Sequence, residues 1–211
     1  ALVRWQRPGG GLVRPDLFIP LAEQSGLIRP ITDQVIDAIG RDLGKLFSQH
    51  RSMHVSINFC ADDFKTGRVL ETVGQRLGNT GSANDQIWLE ATERGLMDID
   101  EARRTIAEAR TRGYAVAIDD FGTGYSSLQY LQSLPLDALK IDKSFVDTIN
   151  RKTATSPVID HIIDMAKGLK LSIIAVGVET REQAEYLLAH GVEFCQGWFY
   201  SKPMTAEEFI E

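Results

Sequence analysis

Short apolar runs alternate with longer amphipathic stretches along almost the whole chain, and this alternation constrains the fold more than any other feature. Seven runs read as strands: Ala1 to Trp5, His54 to Phe59, Gln86 to Thr92, Ala115 to Asp120, Ala138 to Asp142, Ser172 to Val178 and Phe194 to Phe199. Between them, residues 31–47, 69–77, 101–112, 158–169 and 181–190 carry apolar side chains at three- and four-residue spacing, the pattern of helices that cover a sheet. Gly113 and Gly191 follow two of these as stop signals. Repeated strand–helix units predict a parallel sheet, either a closed barrel or an open doubly wound layer. Because the first run begins at residue 1 without a lead-in, the seven strands predict a TIM-barrel-like α/β fold that lacks its first strand.

Length and charge then limit the function. A chain of 211 residues, 43% hydrophobic and 25% charged, buries the core of one sizeable domain. A net charge of -6, with lysines and arginines scattered, offers no basic face for a nucleic acid polymer. An acidic protein that handles a phosphate ester needs metal ions to shield it. Cys60 and Cys195 show no CxxC spacing and sit in apolar segments, so reduced core thiols are expected. The longest apolar run, Ile173 to Val178, is far too short for a spanning helix, which predicts a soluble, cytoplasmic domain.

Polar residues at the strand ends supply the chemistry. In chain order they are Asn58, Glu90 with Glu93, Asp119 with Asp120, Lys140 with Asp142, and Gln196. In a parallel barrel these C-terminal ends share one face, and active sites are built there. Successive strand residues point to opposite faces, so Asp119 and Asp120 serve one metal together only where the backbone turns at the strand end. Taken singly, each has a bland use: Asn58 as a turn cap, Lys140 as a solvated lysine, Glu93 as a helix-start acid. Their convergence favours a site, and oxygen donors without histidine or cysteine favour magnesium or manganese over zinc.

Other motif classes are absent. The chain has no GxxxxGK[ST], HExxH or GxSxG, and His50, His54, His161 and His190 include no pair at ligand spacing. Gly122-Thr123-Gly124 lacks the third glycine of a dinucleotide fingerprint and reads instead as a tight loop over the site. A Schiff-base role for Lys140 is disfavoured by the neighbouring acids, which keep the ammonium charged.

Several longer segments resemble one family. Ala1-Leu2-Val3-Arg4-Trp5, Phe18-Ile19-Pro20-Leu21-Ala22-Glu23, Asp119-Asp120-Phe121-Gly122-Thr123-Gly124-Tyr125-Ser126-Ser127-Leu128, Leu139-Lys140-Ile141-Asp142-Lys143-Ser144-Phe145-Val146, Gly177-Val178-Glu179-Thr180 and Gln196-Gly197 are, in that order, similar to the signature of EAL-domain phosphodiesterases. The resemblance covers essentially the whole chain. It implies a single EAL domain over residues 1–211, a (β/α)8 barrel of the EAL type that is incomplete at its N-terminus, hydrolysing cyclic di-GMP to linear pGpG with magnesium or manganese. Position by position, it implies metal ligation by Asn58, Glu90 and Asp119, with Asp120 serving a second metal. It also implies that Lys140 positions the attacking water, that Leu2, Arg4 and Gln196 contact substrate, and that Glu93 holds the loop of Gly122, Thr123 and Gly124. Lys140, Asp120 and Glu90 are then the catalytic set.

Two departures from the family pattern bear on activity. The family's naming glutamate precedes the position of Ala1, and further N-terminal sequence is expected before it. Where the family reads Ala-Glu-Gly-Val-Glu-Thr, this chain reads Ala175-Val176-Gly177-Val178-Glu179-Thr180, so an acid is replaced by a side chain that neither ligates a cation nor accepts a proton. The alternative function is a receptor that binds cyclic di-GMP without cleaving it. The family pattern also implies a homodimer through residues 126–146, and sensor or membrane domains upstream that tether the domain to the inner membrane.

Overall fold

The computed structural model describes residues 1–92, 96, 98–122, 128–149 and 156–210. Six strands form one parallel sheet in strict chain order: β3 (Val55–Phe59), β4 (Ile87–Thr92), β5 (Ala115–Phe121), β6 (Ala138–Ile141), β7 (Ser172–Val176) and β8 (Phe194–Gln196). Ahead of them lies a two-stranded antiparallel ribbon, β1 (Trp5–Gln6) with β2 (Leu12–Val13). The seven expected strands are therefore six in the sheet, and the first needs correcting. Of Ala1 to Trp5 only Trp5 pairs as a strand, and it pairs locally with Val13 across a glycine-rich turn.

The helices are α1 (Pro15–Ser25), α2 (Ile28–Gln49), α3 (Ala61–Lys65), α4 (Arg68–Leu77), α5 (Ile99–Thr111), α6 (Leu128–Ser133), α7 (Lys143–Val146), α8 (Ser156–Gly168), α9 (Arg181–Ala189) and α10 (Ala206–Ile210). Parallel neighbours require crossovers, and helices fill each of them. The five expected helices are present within a few residues of their expected ends. Helix α2 buries Ile36, Ile39 and Phe47, and α4 buries Val69, Leu70, Val73 and Leu77, at the spacing that defined them.

Buried side chains lie on both faces of the sheet, as parallel strands covered by helices require. Ile57, Leu89, Ile118, Leu139 and Ile173 join the large core between strands and helices. On the other face Ala117, Ala138 and Ile174 pack together with Trp88 as a small inner cluster. The two ends of the sheet approach through side chains: the Phe194 ring of β8 meets His54, just ahead of β3, at 5.3 Å and Trp88 of β4 at 5.6 Å between centroids, both edge-on. The sheet is thus a curled, TIM-barrel-like half-barrel. No helix of the described residues is long and apolar enough to cross a membrane.

Candidate active site

Strand periodicity puts the predicted residues on the inner face. Counting by twos from Trp88, Ala117, Ala138, Ile174 and Phe194 reaches Glu90, Asp119, Lys140, Val176 and Gln196, one step nearer the C-terminal ends. Asn58 joins that layer through its register opposite Glu90. Below it the small side chains of Ala117 and Ala138, one beside the other in adjacent strands, leave room for the polar groups above.

Three of these residues are bonded to one another. The Lys140 ammonium donates to Glu90 Oε2 at 2.8 Å and to Asp119 Oδ2 at 2.7 Å. Lys140 is 6% exposed and Glu90 3%, so the charges are paired away from solvent. Burial pulls the Lys140 pKa down, but the two carboxylates outweigh it and hold the ammonium above its ordinary value.

Asp119 and Asp120 occupy a break in the ladder. On β5 three steps, Ile118 to Phe121, face two steps on β6, Leu139 to Ile141, so β5 carries one extra residue opposite Lys140. Asp120 takes a left-handed conformation, φ 54°, and its N–H donates to Asp119 Oδ1 at 2.9 Å. This is the backbone turn that two adjacent acids need in order to act together. Burial, then the charges of Asp119 and Asp142, raise the Asp120 carboxyl above its usual range.

The remaining residues flank this centre and are not all gathered. Asn58, Leu2 and Arg4 line one cavity of about 910 Å³, beneath α1 and α2. Gln196 lines a second, about 590 Å³, with Glu90, Ser56 and His54 between the edge strands. The Arg4 guanidinium donates to the neighbouring Val3 carbonyl at 2.9 Å. Val176 sits opposite Gln196 in register, and the Gln196 carbonyl accepts from the N–H groups of Gly177 (2.7 Å) and Val178 (3.0 Å). Gly122 has φ 92°, and a Cβ there would lie 2.7 Å from the Phe145 ring, so this glycine permits a close approach of α7. Glu93, Thr123 and Gly124 lie outside the described residues. Among the described residues, no group of three or more His, Cys, Asp and Glu is gathered closely enough to hold a metal ion on its own.

Sequence reasoning missed two supports. The Asp63 carboxylate, fully buried behind β3, accepts from Arg68 and from the Cys60 thiol. Lys143 pairs with Glu179 at 3.0 Å and with Asp147 at 2.8 Å while its stem packs on Gly177. Apart from the ordinary i,i+4 pair of Lys143 with Asp147, neither shows as a motif, since the partners sit on different elements at spacings that no pattern marks.

A half-barrel of parallel strands with acids, an amide and a buried lysine on its C-terminal rim is the architecture of an enzyme-type α/β barrel. Residues 1–203 match the family model described as the EAL domain, and the chain belongs to that family. It is 43% identical over 210 residues to the Escherichia coli protein named "Probable cyclic di-GMP phosphodiesterase PdeB", covering 100% of this chain and 40% of that protein. It is 40% identical over 215 residues to the Pseudomonas aeruginosa cyclic di-GMP phosphodiesterase NbdA, covering 100% of this chain and 28% of that one. The chain therefore spans less than half the length of either relative. Among solved structures, that of the PaMucR phosphodiesterase in complex with c-di-GMP superposes with a TM-score of 0.91 at 34% identity, covering 98% of this chain and 84% of that one.

Proposed function

We propose that this chain hydrolyses cyclic di-GMP to linear pGpG in the presence of magnesium or manganese. The observation that supports this best is Lys140 held between Glu90 and Asp119 on the C-terminal rim, in a family whose named relatives are cyclic di-GMP phosphodiesterases. The donors are all oxygen, with carboxylates from adjacent strands and an amide, which fits a hard divalent cation. Asn58, Glu90 and Asp119 would hold one ion, and Asp120 a second. Such ions, when bound, neutralise charge on a phosphodiester and lower the pKa of water.

The chain's own residues do the rest. Lys140 has no lone pair to offer a cation while charged, so it supplies fixed positive charge and orients the attacking water. Arg4 matches a substrate phosphate, and Leu2 and Gln196 complete the substrate contacts. Glu93 with Gly122, Thr123 and Gly124 shapes the loop over the rim. A homodimer, and sensor or membrane domains in the rest of a longer protein, belong to the same reading.

A second reading is favoured by one observation, the branched apolar side chain of Val176 on the inner face opposite Gln196. It removes a proton acceptor from the rim, and a receptor that binds without cleaving tolerates that loss. The test is incubation with cyclic di-GMP in Mg²⁺ and then Mn²⁺, with chromatography for pGpG and calorimetry for binding. Metal-dependent pGpG establishes a hydrolase; tight binding without product establishes the receptor.

A further inference from the structure

Strand β3 and helix α3 are separated by Cys60 alone, so the direction in which α3 leaves the sheet sets how β3 ends. That end carries Asn58, whose side chain is exposed and makes no hydrogen bond among the described residues. The direction in which it leaves the strand is therefore set by the backbone alone. The turn that fixes it is held by an unusual group for an interior, the Asp63 carboxylate, 0% exposed.

One oxygen of Asp63 accepts from Arg68 Nη1 at 2.7 Å and the other from the Cys60 Sγ at 3.1 Å, while the Asp63 N–H donates to the Cys60 carbonyl at 3.1 Å. Arg68 is itself anchored. Its Nη2 donates to Asp33 Oδ1 on α2 at 2.6 Å, and the other Asp33 oxygen is paired with Arg76 at 3.1 Å. A planar guanidinium thus bridges two carboxylates from two elements, a geometry a lysine does not reproduce. On its far side α3 is tied to α5, where the Thr105 hydroxyl donates to the Phe64 carbonyl at 2.8 Å.

We propose that Asp63 and Arg68 are positioning residues for Asn58, a clamp that fixes the β3–α3 turn against α2 and so presents the Asn58 amide to the cation. The proposal rests on the reading of Asn58 as a metal ligand. Groups that orient a ligand from behind it contribute to metal affinity without touching the metal.

The experiment measures Mn²⁺ affinity by the free-ion EPR signal, in this protein, for Arg68→Lys, Asp63→Asn and Asn58→Ala. Ile163→Val, a core change far from the rim, serves as the stability control. Arg68→Lys is expected to weaken Mn²⁺ binding by about 10-fold and Ile163→Val to leave it unchanged, although both lower the melting temperature. Asp63→Asn behaves like Arg68→Lys if it folds, and Arg68→Lys decides alone if it does not. If Asn58→Ala weakens Mn²⁺ binding but Arg68→Lys binds as tightly as Ile163→Val, the clamp is overturned and the ligand assignment stands. If Asn58→Ala binds Mn²⁺ normally, the assignment falls and the proposal falls with it.

Discussion

Lys140 and Glu90, 50 residues apart in the chain, meet inside the sheet with Nζ 2.8 Å from Oε2, and Asp119 completes the group. Removing the ammonium leaves a carboxylate on β4 buried without a countercharge. Lys140→Met is therefore expected to destabilise the metal-free protein by about 3 kcal/mol, a fall in melting temperature of about 6–12 °C for a domain of this size. The comparison belongs near pH 7. Since the folded pKa of Lys140 is raised, its contribution is complete below the unfolded lysine value and fades only as pH rises through the folded one. Mn²⁺ restores more stability to Lys140→Met than to the parent if Glu90 and Asp119 are ligands. Equal metal-induced shifts in calorimetry sink that assignment.

Val176→Glu tests the rim from the other side. The residue lies on the inner face, in register with Gln196 and one strand from Lys140, so a carboxylate there points toward the acids of the site. Turnover of cyclic di-GMP is expected to rise by about 10²-fold, the contribution of a positioned general base, with little change in KM. Unchanged kcat shows that Val176 is not what limits the reaction.

The strands β3 to β8 were legible because each is an apolar run of strand length bounded by turn residues, and the strand-end acids followed from them. Even the turn at Asp119 and Asp120 was implied, since two neighbouring carboxylates cannot share a face on a regular strand. Helix α1 was not legible, because Pro20 in its interior reads as a breaker. Helices α3 and α7, five and four residues long, are too short to show a period. Ala1 to Trp5 has strand composition, but Trp5 finds its partner in Val13, which composition alone does not reveal. The clamp of Asp63 by Arg68 and Asp33 was hidden for a different reason. An aspartate in the first turn of a short helix reads as an ordinary helix-start acid until its burial is known.

Gly177 joins β7 to the Glu179 turn in the left-handed region, with φ 79°. A Cβ there would lie 2.4 Å from Lys143 Cγ and 2.6 Å from Lys143 Cβ. Gly177→Ala is expected to cost about 1–2 kcal/mol from the backbone alone, with the collision added. Lys143→Gly in the same chain removes the collision and leaves the backbone cost. Urea unfolding of the two single variants and the double variant resolves the parts. A double variant no more stable than the sum of the singles contradicts the contact.

Cys60 and Cys195 are free thiols, each half-buried. Burial, and then the hydrogen bond to Asp63, push the Cys60 thiol up to about 11. A raised acid favours its neutral form in the folded state. The stability it contributes is thus complete below the unfolded thiol value, about 8.5, and is lost as pH rises through about 11. In a Cys195→Ser background, the iodoacetamide rate of the folded protein is expected to keep climbing past pH 9 toward that value, whereas in urea it levels off near the unfolded one. Asp63→Asn, which removes the carboxylate but keeps an acceptor, brings the folded midpoint down. A folded midpoint that matches the urea midpoint means that the thiol does not sit in the buried contact with Asp63, and the turn after β3 is then held some other way.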